Sequence, residues 1–343
     1  MSIQDASPSR KGLRLALRYR CPKPTRRSTG LTAAEEEFDL KTAFAELVQG
    51  DWSRFDHLLH EPVEPQVIAD TKATIRCHYL ASDPSGNPRV KPLARQLSKQ
   101  ILRFCTPRSR LNSIKSIDDE LERDEAMTEA VLNARRLFTT KQENTGEGGE
   151  LLLYILLERH LQVPQILSKL SLKTNTQVQV HGSDGIHAKL EEDHTLGLYW
   201  GESKIYKNYT SAFADCFNSS APFLIGSADT QDLFLIKEYA DLGDLNLRHA
   251  ILDYFDEAHP KSQKLDVRAA CLIGFSVDEY PVLPADIEAA RIAIQNDLTK
   301  WSANILGHIQ KHGISNYQVE VFLIPLPNEI EFRDSIRSAL SES

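Results

Sequence analysis

Four side chains in this sequence have the types and spacing to act together on a phosphodiester: Glu150, Asp184, Glu202 and Lys204. Asp184 stands in the stretch GSDGIHAKLEEDHTLGLYWGESKIY, residues 182–206, and the triplet Glu202-Ser203-Lys204 follows it after two apolar runs. Glu150 lies at the start of GELLLYILLERHL. Three carboxylates and one lysine form a hard, oxygen-rich donor set that suits Mg²⁺ or Mn²⁺ and not zinc. A metal on Asp184, Glu202 and Glu150 would lower the pKa of a bound water and neutralise a phosphate oxygen. Lys204 would orient the attacking hydroxide or stabilise the charge on the phosphorane. A compact ammonium with a tunable pKa fits beside a water molecule better than a guanidinium does.

These residues must be positioned by strands and a helix. Three short strands are expected over 177–182 (QVQVHG), 185–191 (GIHAKLE) and 196–204 (LGLYWGESK), too close in sequence for helical crossovers and therefore an antiparallel meander. Neighbouring strands lie about 4.8 Å apart, so a residue at one bend and another near the end of the next strand can reach a single ion. In the third strand Leu196, Leu198 and Trp200 share a face, and period-two alternation puts Glu202 and Lys204 on that face too. Either the strand end emerges into solvent there, or the charges do chemistry. Asp184, followed by Gly185, also suits a plain hairpin turn, and Glu150 also suits the positive end of a helix dipole. His187 differs in parity from Asp184 and reads as an ordinary sheet histidine.

From about residue 147 the pattern runs helix, three strands, helix, helix, strand (DVRAACLIGF), helix, strand (YQVEVFLIP), helix. This predicts an α/β fold with a mixed sheet flanked by helices on both faces. Ahead of it, ATIRCHYL reads as a strand and VKPLARQLSKQILRFC as one amphipathic helix with Leu93, Leu97 and Ile101 on one face. The expected division is an α+β N-terminal region over 1–130 and the α/β domain over 131–343.

The chain has a net charge of -8, with 41% apolar and 26% charged residues, as in an ordinary folded protein. Residues 6–34 and 84–117 each carry eight Lys or Arg and no acid, so the first region offers a basic face for phosphates or an acidic partner, or docks on the acidic remainder of the chain itself. Within it Arg95, Lys99 and Arg103 step at i, i+4 spacing. They read as a solvated face or, with Lys207 and Tyr209 just beyond the third strand, as nucleic-acid contacts. The longest apolar run, LLLYILL, is far short of the ~20 residues that cross a bilayer, so no membrane association is expected. Five scattered cysteines without a CxxC pair, together with no secretory signal pattern, point to a reducing cytoplasm. A GxxxxGK phosphate loop is missing, so any ATP hydrolysis must come from a partner.

A helix-borne Glu, an Asp opening a strand and an ExK on the next strand resemble the PD-(D/E)xK nuclease superfamily, matched by Glu150, Asp184, Glu202 and Lys204. Ser183 stands where the proline of that motif would be. The runs GEGGELLLYILLERHL, VHGSDGIHAKL and LGLYWGESKIY, with the strand VFLIPLPN, resemble more narrowly the HamA family of the bacterial Hachiman antiphage system over about residues 130–335. That resemblance implies a restriction-endonuclease-like core and a Mg²⁺-dependent DNA nuclease effector, held in check by a HamB-type superfamily 2 helicase and released when phage DNA is sensed. An interaction module that keeps the nuclease fold without catalysis, and a metal-dependent RNase, remain open beside it.

Overall fold

The computed structural model describes residues 39–48, 50, 52–139, 146–168, 183–226, 230–284 and 287–342. The strand expected over 177–182 and the basic stretch 6–34 lie outside these residues. Asp39–Ser343 form one compact unit. In chain order its elements are α1 (Leu40–Ala45), β1 (Leu59–His60), β2 (Gln66–Val67), β3 (Ala73–Cys77), β4 (Tyr79–Leu80), α2 (Val90–Ser98), α3 (Ile101–Cys105), α4 (Arg108–Lys115), α5 (Glu120–Thr139) and α6 (Glu147–Leu156). They continue with β5 (Gln165–Ser168), β6 (Gly185–Leu190), β7 (Leu196–Tyr206), α7 (Tyr209–Leu224), α8 (Thr230–Tyr239) and α9 (Leu245–Leu252). Last come β8 (Leu265–Ser276), α10 (Ile287–His312), β9 (Val319–Leu326) and α11 (Glu329–Glu342).

Seven strands form one mixed sheet in the order β2-β3-β9-β8-β7-β6-β5. β3, β9, β8 and β7 run parallel, and the flanking pairs β2-β3, β7-β6 and β6-β5 are antiparallel. The parallel centre is buried over most of its length, every residue of β9 being buried, as strands with helices on both faces must be. On one face Leu93, Leu97, Phe104, Leu152, Phe332 and Ile336 from α2, α3, α6 and α11 pack over Tyr199, Leu272 and Phe322. On the other, Phe213 and Phe217 of α7 and Trp301 and Ile305 of α10 cover Cys271, Ile273, Val321 and Ile75. Toward the β5 side a third cluster joins Leu198 and Trp200 of β7 to α1, α8 and α9. The α/β architecture expected from the sequence is thus present.

Details depart from expectation for local reasons. The single helix over VKPLARQLSKQILRFC is two, α2 and α3, separated by a turn at residues 99–100, where Ser98 Oγ donates to the Arg95 carbonyl (3.0 Å) and Gln100 N to the Leu97 carbonyl (2.8 Å). The strand beside β6 among the described residues is β5, whose sequence QILS shows almost no alternation because all four residues are buried. Strands from both sides of residue 130 share the sheet, with β3 paired to β9 from Ala73↔Val319 to Cys77↔Leu323. Helix starts follow their caps. Asn208 Oδ1 accepts from Thr210 N (2.8 Å) at α7, Asp244 from Leu247 N (2.8 Å) at α9, and Asn328 from Ile330 N and Glu331 N (both 2.9 Å) at α11.

His187, in β6, is 1% exposed on the α6 side of the sheet, 6.3 Å from the Tyr154 ring, with Nδ1 3.3 Å from the Val163 carbonyl oxygen. Burial pushes this imidazole down to about 3, against the smaller opposing pull of the Val163 carbonyl. The folded chain therefore refuses a proton that the unfolded chain takes up near pH 6.5. The contribution of this site to stability is complete above pH 6.5 and is lost as pH falls toward 3, at up to ~1.4 kcal/mol per pH unit. A His187→Gln variant should flatten the slope of unfolding free energy against pH by close to one proton between pH 6 and 4, measured by urea titrations; an unchanged slope would contradict this account.

Candidate active site

β7 is longer than its neighbour on one side. Its antiparallel pairing with β6 stops at Gly185↔Gly201, whereas its parallel pairing with β8 continues through Glu202↔Cys271, Ser203↔Leu272 and Lys204↔Ile273 to Tyr206↔Phe275. Asp184 sits where β6 begins. Its backbone N–H donates to the Gly201 carbonyl (2.9 Å), and its Oδ2 accepts from Ser203 N (2.8 Å) and Ser203 Oγ (3.0 Å). The carboxylate thereby takes the main-chain donor that one more residue of β6 would have taken. The meeting of two glycines permits this approach, because a Cβ on Gly201 would stand 2.9 Å from the Gly185 carbonyl oxygen and 3.3 Å from Leu153 Cδ2.

Glu202 and Lys204 are interior to the strand, not at a frayed end. Glu202 is 4% exposed, and Lys204 is half-buried and donates from Nζ to Glu202 Oε1. Cys216 of α7 lies behind them, its Sγ 3.8 Å from the Glu202 carbonyl oxygen. Burial by itself would lower the Lys204 pKa, but the Glu202 carboxylate and then Asp184 outweigh it and hold the ammonium well above its ordinary value. Lys204 is therefore a fixed cation at neutral pH. The structure thus brings Asp184, Glu202 and Lys204 together.

Glu150 occupies the first turn of α6, half-buried, with Glu147 beside it and 4% exposed. That turn is pressed onto β7: a Cβ on Gly149 would lie 3.1 Å from Ser203 Oγ and from Ile205 Cδ1. Ser203 is consequently shared between the Asp184 carboxylate and the helix start that carries Glu150. Lys207 is exposed just past β7, and Tyr209 is 36% exposed with its ring against Phe213 (5.6 Å) and Phe275 (5.7 Å).

The other basic residues are spread over two helices. Arg95, Lys99 and Arg103 are all exposed, but the break between α2 and α3 separates them. Arg95 borders a groove against Glu331 and Asp334 of α11, and Arg103 borders a cavity with Arg108 and Tyr154. Arg108, also in the basic stretch, is engaged inside the protein, donating to the Leu47 (2.5 Å) and Gln165 (3.0 Å) carbonyls and lying 3.8 Å from Glu158.

A second group of metal-capable residues was not visible in the sequence. Glu61, His78 and His160 place one ligand atom each within 4.8 Å of one another and could hold a metal ion. They come from the loop after β1, the residue after β3 and the widened π-type turn Leu157–Leu161 that continues α6. Separations so large and irregular leave no spacing signature. The only hint was a histidine in each of two runs otherwise read as strand and helix.

Glycine at 201 is the sharpest steric requirement of the Asp184 site. Gly201→Ala should force β6 or α6 away, cost about 1–3 kcal/mol of stability and loosen the Asp184–Ser203 contact. Denaturant unfolding gives the first, and hydrogen exchange at the Ser203 amide the second; a variant as stable and as protected as the parent would refute this reading.

A sequence model of the HamA family matches residues 53–340, which takes in every strand of the sheet and nearly all of α11. No curated protein matches the chain. No helix among the described residues is long and apolar enough to cross a membrane.

Proposed function

We propose, from the premise that the chain belongs to the HamA family and so to the Hachiman antiphage defence system, that it is a metal-dependent DNA nuclease with Asp184, Glu202, Glu150 and Lys204 as its working groups. The observation that carries this reading is the ion pair of buried Glu202 with half-buried Lys204, beside a carboxylate fixed by Ser203. Buried ion pairs are weak contributors to stability, because desolvation offsets most of their attraction, so their presence in a strand interior calls for another reason. This grouping is read as the core of a PD-(D/E)xK-type site.

The donor chemistry fits Mg²⁺ or Mn²⁺: the carboxylates at Asp184, Glu202 and Glu150 are hard oxygen ligands. When bound, such an ion supplies Lewis acidity and an acidified water. Ser203 holds Asp184 in place through two hydrogen bonds, so that oxygen is preorganised. Lys204, permanently protonated, serves as the cation that orients the attacking water and opposes negative charge growing on the phosphoryl oxygens; it is not the proton acceptor. Lys207 and Tyr209, exposed just past the same strand, are the residues proposed to meet the nucleic-acid backbone.

Cleavage of supercoiled plasmid by the purified chain should require Mg²⁺ or Mn²⁺ and stop with EDTA, with single-stranded DNA and RNA as parallel substrates to separate the deoxyribonuclease from a ribonuclease. Glu202→Gln and Lys204→Met should each reduce it at least ~100-fold. Each single change removes one partner of an ion pair whose carboxylate is buried and whose ammonium reaches solvent, so a loss of ~1–3 kcal/mol of stability is expected from them. The Glu202→Gln/Lys204→Met double variant should regain much of that stability and remain inactive. Wild-type rates in the folded double variant would falsify the assignment.

The proposed setting is a complex with a HamB-type superfamily 2 helicase that restrains the nuclease until phage DNA is sensed. Reversing Arg95, Lys99 and Arg103 to Glu should weaken that complex mainly through slower association while the isolated chain keeps its cleavage rate. Should the same residues meet DNA instead, the complex stays intact and DNA binding becomes weaker and less salt-sensitive. Pull-down and salt-dependent binding measurements on the triple variant separate the two, and normal behaviour in both would leave the row a solvated surface.

A further inference from the structure

We infer that Glu61, His78 and His160 form a second metal site, for a zinc-class transition ion, distinct from the Asp184 centre and structural in role. The His78 and His160 Nε2 atoms face one another at 3.0 Å with the rings edge to face, centroids 4.6 Å apart. Two tetrahedral zinc ligands at about 2.0–2.1 Å from the ion lie about 3.3 Å apart, so this pair is within a few tenths of an ångström of zinc-binding separation. Glu61 completes the set, each of the three residues offering one ligand atom within 4.8 Å of the other two, and its side chain is partly exposed, so it can swing to close the remaining distance.

Hydrogen bonding alone leaves the group incomplete. Two neutral imidazoles facing through Nε2 can share only one proton, and His78, 1% exposed, has only the Arg76 backbone besides. Glu61 Oε1 is buried without a hydrogen-bond partner, its nearest cation being Arg76 Nη1 at 3.9 Å. Arg76 is itself shared with Glu320 at 3.5 Å. The charged side chains around the imidazole pair are the carboxylates of Glu61 and Glu320 and the guanidiniums of Arg76 and Arg159, so Glu61 is the anionic ligand that the set offers a divalent cation. Ligand type fixes the class of ion. Two imidazoles with one carboxylate are a zinc, cobalt, nickel or copper set, and Mg²⁺ disfavours nitrogen ligands.

The location states the role. His78 is held against β9 by its backbone N–H donating to the Leu323 carbonyl (2.9 Å), and His160 lies in the turn that continues α6, both rings about 6 Å from Phe322. An ion here ties the end of α6 to the β3-β9 side of the sheet, while the opposite end of the same helix carries Glu150 to β7. The bound ion is thus a fixed point for the helix that spans the two centres.

The test is metal retention by the full chain, stripped with chelator, exposed to Zn²⁺ or Co²⁺ in Mg²⁺ buffer and desalted. About one zinc per chain is expected, with Co²⁺ giving the visible bands of a four-coordinate nitrogen-oxygen site and Cu²⁺ giving nitrogen hyperfine structure from two imidazoles. Zinc should also raise Tm by about 5 °C at a hundredfold excess over Kd. Glu61→Gln and His160→Asn should each lower retention at least tenfold, whereas Asp184→Asn should keep it, so that loss of the nuclease reading and loss of this one are separate results. A stripped parent chain that takes up neither Zn²⁺ nor Co²⁺, retention unchanged in both ligand variants, or retention lost in Asp184→Asn would each overturn the proposal. Where a ligand variant does not fold, the spectra of the parent chain decide.

Discussion

Everything proposed at the Asp184 centre depends on one mismatch of strand lengths. β8 supports β7 to Tyr206, but β6 releases it after Gly201, and the main-chain donors of the unsupported segment need acceptors. A carboxylate supplies one: Asp184 receives the Ser203 amide and hydroxyl together. An isolated carboxylate would be costly at a position 9% exposed, yet here its partners are built from the strand it completes. The same opening lets Lys204 reach partly toward solvent while Glu202 stays covered. Structural need and proposed chemistry use the same vacancy in the sheet, and the glycine pair at 185 and 201 is what allows the backbones to approach closely enough for both.

The two centres differ in how much of them could be read beforehand. Asp184, Glu202 and Lys204 lie within one meander, and parity alone put Glu202 and Lys204 on the face of Leu198 and Trp200; the structure keeps them there. What the pattern left open was burial. A strand end facing water and a strand interior closed by α7 read identically until the long-range packing of Cys216 and Phe217 is known. Glu61, His78 and His160 were illegible for a related reason. Their approach is made by three separate connections closing on Phe322, and no local period encodes such a meeting.

The same distinction holds for the fold. The long apolar runs of β8 and β9 and the amphipathic helices were legible because burial on a regular face imposes a period. β5 was not, since four consecutive buried residues carry no alternation, and the break between α2 and α3 was not, since it is a two-residue turn inside an otherwise continuous amphipathic period. The basic row Arg95, Lys99 and Arg103 is drawn across that break, with all three side chains exposed. Arg108 shows the other side of charge counting: a residue that contributes to a positive stretch in sequence can be consumed by carbonyls and Glu158 inside the molecule.

β3, near the start of the described chain, lies beside β9, near its end. Non-local parallel pairing of this kind forms late, because the loop that it closes costs entropy before any contact offsets it. During synthesis the central strands can assemble on β8, but the outer edge of the sheet stays open until β9 emerges and finds β3 already waiting. A fragment cut at residue 131 to isolate the Asp184 region would carry β9 with its β3-facing amides and carbonyls bare, a flat apolar edge of the sort that recruits other chains. The early segment is in this sense the sheet's own edge guard, and separating it from the rest exchanges a folded monomer for a template of self-association.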